Sequence, residues 1–208
     1  MIEIIPAILE PTLEAIQEKV QRIQPYTQRV QLDVMDGAFV PNQSFCQPAP
    51  LAELDIQIEV HLMIEKPSLF ISQWALPNVF RLIVHYEAMG NVANEIALLR
   101  QTGKEVAIAL NPETSTYEIK EHLPDIDMVL IMGVEPGFQG QAFQRDVLEK
   151  VKEIKKWEPT MKVAVDGGVT IENARYIMAA GTDVLVVGSA IWKSDNIEES
   201  IHLLQQNS

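Results

Sequence analysis

Eight short apolar runs alternate with stretches of helical spacing, and this alternation constrains the fold more than any other feature. The runs cover residues 2–9, 30–35, 56–63, 80–85, 106–110, 128–132, 162–165 and 184–187. Between them, Leu13, Ile16, Val20 and Ile23 recur at spacings of three and four, as on one face of a helix. Similar patterns predict helices over Leu51–Leu54, from Pro67 to Trp74, Asn91–Leu99, Thr114 or Ser115 to His122, Phe143–Trp157, Thr170–Ala180 and Asn196–Leu204. Strands that are apolar throughout, rather than alternating, belong to a parallel sheet covered by helices. Eight such units in 208 residues imply one compact (β/α)8 TIM barrel spanning residues 1–208. An open doubly wound sheet is the alternative, but no G-x-G-x-x-G follows the first strand.

Composition narrows the partners. The formal net charge is −13, so no basic surplus exists to neutralise nucleic-acid phosphates. A phosphorylated ligand would have to be held largely by backbone N–H groups. A single cysteine, Cys46, excludes an intrachain disulfide and reads as a small packing residue. No stretch reaches 18 apolar residues and no signal segment is evident, so a cytoplasmic protein without a membrane partner is expected.

In a barrel, chemistry sits at the C-terminal ends of the strands. The second strand ends in Gln31-Leu32-Asp33-Val34-Met35, and alternation puts Gln31, Asp33 and Met35 on one face. Burying an unpaired carboxylate is costly, so Asp33 either caps the following loop or has a strong partner. Strand three ends with His61, strand four with His85 followed by Glu87, and strand seven with Asp166. Asp33, His61 and Asp166 together match the ligand set of a divalent ion such as zinc, manganese or iron. His85 and Glu87 read as a structural pair. Gly167-Gly168 before a helix and Gly188-Ser189 after strand eight stand where barrels bind phosphate, although glycines also serve simply as turns. The loop Pro136-Gly137-Phe138-Gln139-Gly140 suits a cover over a ligand. Met35, Met63 and Met132 lie near strand ends, as core filler or as an apolar wall around a reacting centre.

These residues carry a resemblance. Asp33-Val34-Met35-Asp36-Gly37, Phe39-Val40-Pro41-Asn42, Val60-His61-Leu62-Met63-Ile64, Val84-His85 with Glu87-Ala88, and Ala109-Leu110-Asn111-Pro112 appear in order. Pro136-Gly137-Phe138, Gly140-Gln141, Val165-Asp166-Gly167-Gly168 and Gly188-Ser189-Ala190-Ile191 follow. Over nearly its whole length the chain resembles the ribulose-phosphate 3-epimerases and related ketose-phosphate epimerases. The resemblance implies a barrel of the ribulose-phosphate-binding type and inversion at C3 of a ketose phosphate through an enediolate. Asp33 and Asp166 match the two proton-transfer residues, and Asp33, His61 and Asp166 match three metal ligands. His61, Gly137, Phe138, Gln139, Gly140, Gly167, Gly168, Gly188 and Ser189 match segments that contact the substrate and its phosphate.

Four positions depart from the family pattern. Gln31 stands where a fourth ligand, a histidine, is usual; an amide oxygen can ligate a hard ion but poorly replaces imidazole on zinc. Ala7 replaces a substrate-contacting serine, Ala38 a frequent histidine, and Gln139 a glycine. Two hypotheses follow: an active epimerase with a modified metal site, or a sugar-phosphate-binding protein that has lost catalysis. Homo-oligomerisation is compatible with either.

Overall fold

The computed structural model describes residues 2–206. Eight strands, β1 (Glu3–Ile8), β2 (Arg29–Met35), β3 (Gln57–Met63), β4 (Val79–His85), β5 (Glu105–Leu110), β6 (Met128–Met132), β7 (Lys162–Asp166) and β8 (Val184–Val187), run parallel in sequence order. β8 pairs with β1 and closes the barrel.

The apolar strand residues fall into two sets. Ile4, Leu32, Val60, Leu82, Ile108, Ile131, Val165 and Leu185 face the helical layer and join its core. Ile5, Ala7, Ile83, Ala107, Ala109, Leu130, Ala164 and Val186 fill the barrel interior. Both faces are buried, which explains why the strands read as continuous apolar runs. On β2, β3 and β4 the interior instead carries buried polar residues: Gln31 and Asp33, Glu59 and His61, and Arg81 and His85 on either side of Ile83. The interior therefore has an apolar side and a charged side.

The outer layer is less regular than the spacing predicts. Helices α1 (Leu13–Ile23), α2 (Ile71–Trp74), α3 (Val92–Gln101), α4 (Leu148–Trp157), α5 (Ile171–Ala179), α6 (Ser189–Trp192) and α7 (Ile197–Gln206) follow the strands. The connections over Ala49–Glu53 and Thr116–Asp125 are 3-10 turns rather than α-helix. Proline accounts for this, with Pro48 and Pro50 opening the first segment and Pro124 inside the second. Pro67 starts a 3-10 turn, and α2 is a single turn beyond it. The helix expected from Phe143 starts later, as a 3-10 turn at Arg145, because Gln144 N–H donates back to Gly133 O at 2.9 Å. Thr170 caps α5 in a reciprocal box with Asn173. α6 was not expected from the sequence. It starts directly after β8, and Trp192 Nε1–H donates to Ala7 O at 2.6 Å.

Candidate active site

Register builds the site. Asp33 on β2 is the direct partner of His61 on β3, and Asp166 ends β7 opposite Met132. Closure brings these elements together at the mouth of the barrel. Gln31 and His61 are fully buried, and Asp33 and Asp166 nearly so. His61 Nδ1 lies 3.2 Å from Asp33 Oδ1 and 3.5 Å from Asp166 Oδ2. Gln31 Nε2 donates to Asp33 Oδ1 at 2.7 Å and to Asp166 Oδ2 at 2.6 Å. Burial pushes the Asp33 carboxyl above its ordinary range, and the nearby Asp166 charge adds to the rise, against the opposing pull of His61. Burial works against a charged His61, yet hydrogen bonds to Asp166 and Asp33 outweigh it and push its pKa up to about 9.

A buried chain of contacts leads away from His61. Its Nε2 is 2.9 Å from His85 Nε2, with the two rings stacked 5.0 Å apart. His85 Nδ1 is 3.3 Å from Glu87 Oε2. Glu87 Oε1 in turn accepts from Asn111 N–H at 2.8 Å and from the Thr114 hydroxyl. Burial lowers the pKa of His85, so it is neutral and pairs Nδ1–H with Glu87. Its Nε2 is then an acceptor for His61 Nε2–H, which leaves His61 Nδ1 facing the two acids. The pairing of His85 with Glu87 expected from the sequence exists. What the sequence reading missed is that it orients His61. Strand parity was the available signal, since His61 and His85 occupy interior positions of adjacent strands.

Loop capping falls to Asp36 rather than Asp33. Partial burial disfavours the Asp36 charge, but N–H groups of Phe39, Glu65 and Ala38 hold its carboxyl below the usual range. Ser44 secures the end of β2, accepting from Met35 N–H at 2.9 Å and donating to Asp33 O at 2.8 Å. Cys46, expected as a packing residue, is exposed because the loop carries it outward; its thiol donates to Met35 O at 3.0 Å.

Above the acids lies an open cavity. Asp33, His61 and Asp166 line it, with Ala7, Met35, Met63 and Met132 as apolar wall. Gly137, Phe138, Gln139, Gly140, Gly167, Gly168, Gly188 and Ser189 line it as well. The loop after β6 is anchored: Asn42 Nδ2–H donates to Gly137 O at 2.8 Å, and Gln141 Nε2–H to Glu135 O and Phe138 O at 2.7 and 2.9 Å. Phe138 stays 54% exposed at the rim. Packing alone requires glycine at Gly168, where φ is +68° and a Cβ would lie 2.8 Å from the Phe143 backbone. Gly188 differs, since a Cβ there would meet the Gln139 side-chain amide at 3.0 Å. Its small size leaves room for whatever lies beside Gln139.

One donor atom each from Asp33, His61 and Asp166 lies within 4.8 Å of the others, so these residues can hold a divalent ion. The donor chemistry, two carboxylates and one imidazole, suits such an ion. The Gln31 nitrogen, not its oxygen, points toward them, and Gln31 Oε1 is buried without a partner. Among the described residues, no helix is long and apolar enough to cross a membrane.

Comparison with known proteins agrees with this geometry. Residues 3–192 match the model of the ribulose-phosphate 3 epimerase family. The ribulose-phosphate 3-epimerase of Bacillus subtilis is 35% identical over 97% of both chains. That of Chlamydia muridarum is also 35% identical, over 97% of this chain and 94% of its own. Among solved structures, 3-hexulose-6-phosphate synthase from Salmonella typhimurium superposes with a TM-score of 0.72 at 13% identity, covering 99% and 98% of the two chains. Orotidine 5'-phosphate decarboxylase from Pyrococcus horikoshii gives 0.67 at 14%, covering 98% of each. At such identities these two support the barrel fold alone. The chain thus belongs to the ribulose-phosphate 3-epimerase family and is an isomerase of the epimerase type, in pentose-phosphate carbohydrate metabolism.

Proposed function

We propose that the protein interconverts D-ribulose 5-phosphate and D-xylulose 5-phosphate, or close ketose-phosphate analogues, by exchanging a proton at C3 through an enediolate. One observation carries the reading: carboxylates from β2 and β7 meet on the floor of an open cavity, linked through one side chain. Asp33 removes the proton from one face and Asp166 returns one from the other, with roles exchanged in the reverse direction. Burial makes Asp33 a stronger base than an exposed carboxylate, which brings it closer to the basicity the task needs. The methionine wall keeps water from the reacting carbon. The glycine-containing loops after β6, β7 and β8, with Gln139 and Ser189, take the phosphate end. Backbone N–H groups suit that role in a chain with net charge −13.

Asp33, His61 and Asp166 would hold the divalent ion, with zinc, manganese and iron as candidates. When bound, such an ion stabilises negative charge developing on the substrate oxygens as a Lewis acid. His85 and Glu87 keep His61 Nδ1 turned to the acids. The reading takes residues 1–208 as one barrel domain acting in the cytoplasm on a small sugar phosphate, without nucleic acid or membrane.

A second reading, sugar-phosphate binding without turnover, is favoured by the Gln31 amide, which engages both proton-transfer carboxylates. An epimerisation assay on ribulose 5-phosphate in deuterated water separates the two. Xylulose 5-phosphate carrying deuterium at C3 is the expected product. Ligand binding without turnover, even with added manganese or zinc, would overturn the first reading in favour of the second.

A further inference from the structure

Gln31 does not leave an empty place where a ligand histidine is usual in the family. Its amide nitrogen sits among the three donors, at 2.7 Å from Asp33, 2.6 Å from Asp166 and 3.3 Å from His61 Nδ1. The two short contacts supply one N–H to each carboxylate. An amide oxygen there would face two carboxylate oxygens, so hydrogen bonding decides which end of the amide points inward. The opposite end gains nothing, since Gln31 Oε1 is buried without a partner. A side chain tolerates an unpaired buried oxygen only where its N–H groups gain more. What they gain here is two acids that otherwise share only His61 Nδ1, at the longer distances of 3.2 and 3.5 Å.

We infer that the Gln31 amide is an internal stand-in for a cation: it and a divalent ion compete for the same three atoms of Asp33, His61 and Asp166. The inference rests on the metal-binding part of the function proposed above and concerns this chain's own residue. An entering ion must displace the N–H2 group, so the amide weakens ion binding and holds the two carboxylates together when no ion is bound. The opposite role, an oxygen ligand through Oε1, predicts weaker ion binding once Gln31 is replaced and an amide that stays protected when zinc binds.

Gln31→Met keeps the length of the side chain and removes its N–H groups. Manganese and zinc affinity are measured by titration calorimetry, and thermal unfolding is followed in excess chelator. The variant should bind manganese at least about tenfold more tightly, because its competitor is gone. Its unfolding midpoint in chelator should fall by roughly 4 °C or more, because two buried acids lose the closer of their two shared donors. An affinity equal to or below that of the unaltered protein, or an unchanged midpoint, would overturn the inference. A third measurement needs no substitution. The Gln31 side-chain amide protons should exchange slowly in chelator and lose that protection when zinc binds; protection that survives zinc binding overturns the inference. Should neither protein bind either ion, the inference fails together with the metal part of the proposed function. Competition without turnover on ribulose 5-phosphate leaves the inference standing and removes the epimerase reading alone.

Discussion

Two polar clusters are stacked inside the barrel, and they are balanced in opposite ways. The lower one centres on Arg81 and Glu59, both completely buried. Arg81 Nη1 donates to Glu59 Oε2 at 2.5 Å, while Nη2 and Nε donate to Glu105 Oε2 at 2.6 and 3.0 Å. A guanidinium never gives up its proton in a protein, so this cluster carries a fixed cation of its own. The upper cluster, with His61 two residues beyond Glu59 on β3, has two carboxylates around an imidazole and a neutral amide. Its acids are matched only by groups that can be deprotonated or displaced. A charge cluster that supports the fold can be closed, whereas one that must accept a proton or an ion needs partners that leave. Strand β3 contributes to both, Glu59 to the lower and His61 to the upper, while β4 and β5 complete the lower cluster and β2 and β7 the upper.

The comparison can be broken at either level. Asp166→Asn in the upper cluster should lower epimerisation by roughly 10³-fold while leaving the fold intact, since the proposed mechanism gives Asp166 one of the two proton transfers; steady-state assay and circular dichroism check both halves. Retained turnover would move the upper cluster into the structural class. Arg81→Met in the lower cluster leaves Glu59 buried without its cation, a loss of about 3–5 kcal/mol readable by urea unfolding. His85→Ala sits at the boundary. It should reduce turnover or ion affinity by about 10–100-fold through a misoriented His61. Its effect on the unfolding midpoint should be smaller than that of Arg81→Met.

The lower cluster can also be read through pH dependence. Burial pushes the Glu59 carboxyl from its ordinary 4.5 to about 7, despite the Arg81 charge. A raised folded-state pKa favours the folded protein while the group is protonated. This contribution is full below pH 4.5 and lost as pH rises through about 7. Glu59→Gln should flatten that part of the stability–pH curve, and denaturant titrations at several pH values measure the slope. A slope unaltered by the substitution would mean that Arg81 compensates Glu59 fully.

The strands were legible because burial on both faces writes itself as an uninterrupted apolar run. Met128–Met132 and Val184–Val187 agree with the sequence reading to the residue. Helical stretches were less legible, since proline turned Thr116–Asp125 into 3-10 structure and Gln144 stayed tied to Gly133. α6 was missed because one turn is too short to show a period. Glu59 and Arg81 also escaped attention, although their parity with His61 and His85 marks them as interior. A charged residue in an apolar run is easily read as a strand end when its partner lies on another strand.

Local pattern alone determined the number of strands, their parallel course and the interior face that carries Gln31, Asp33, His61 and Asp166. These follow from alternation and apolar content, which act over a few residues. The tertiary structure decided which atoms meet there. Gln31 and Asp166 are 135 residues apart in sequence and 2.6 Å apart in space. Closure of the barrel sets that distance, and competition for hydrogen bonds sets which end of the Gln31 amide is turned toward the acids.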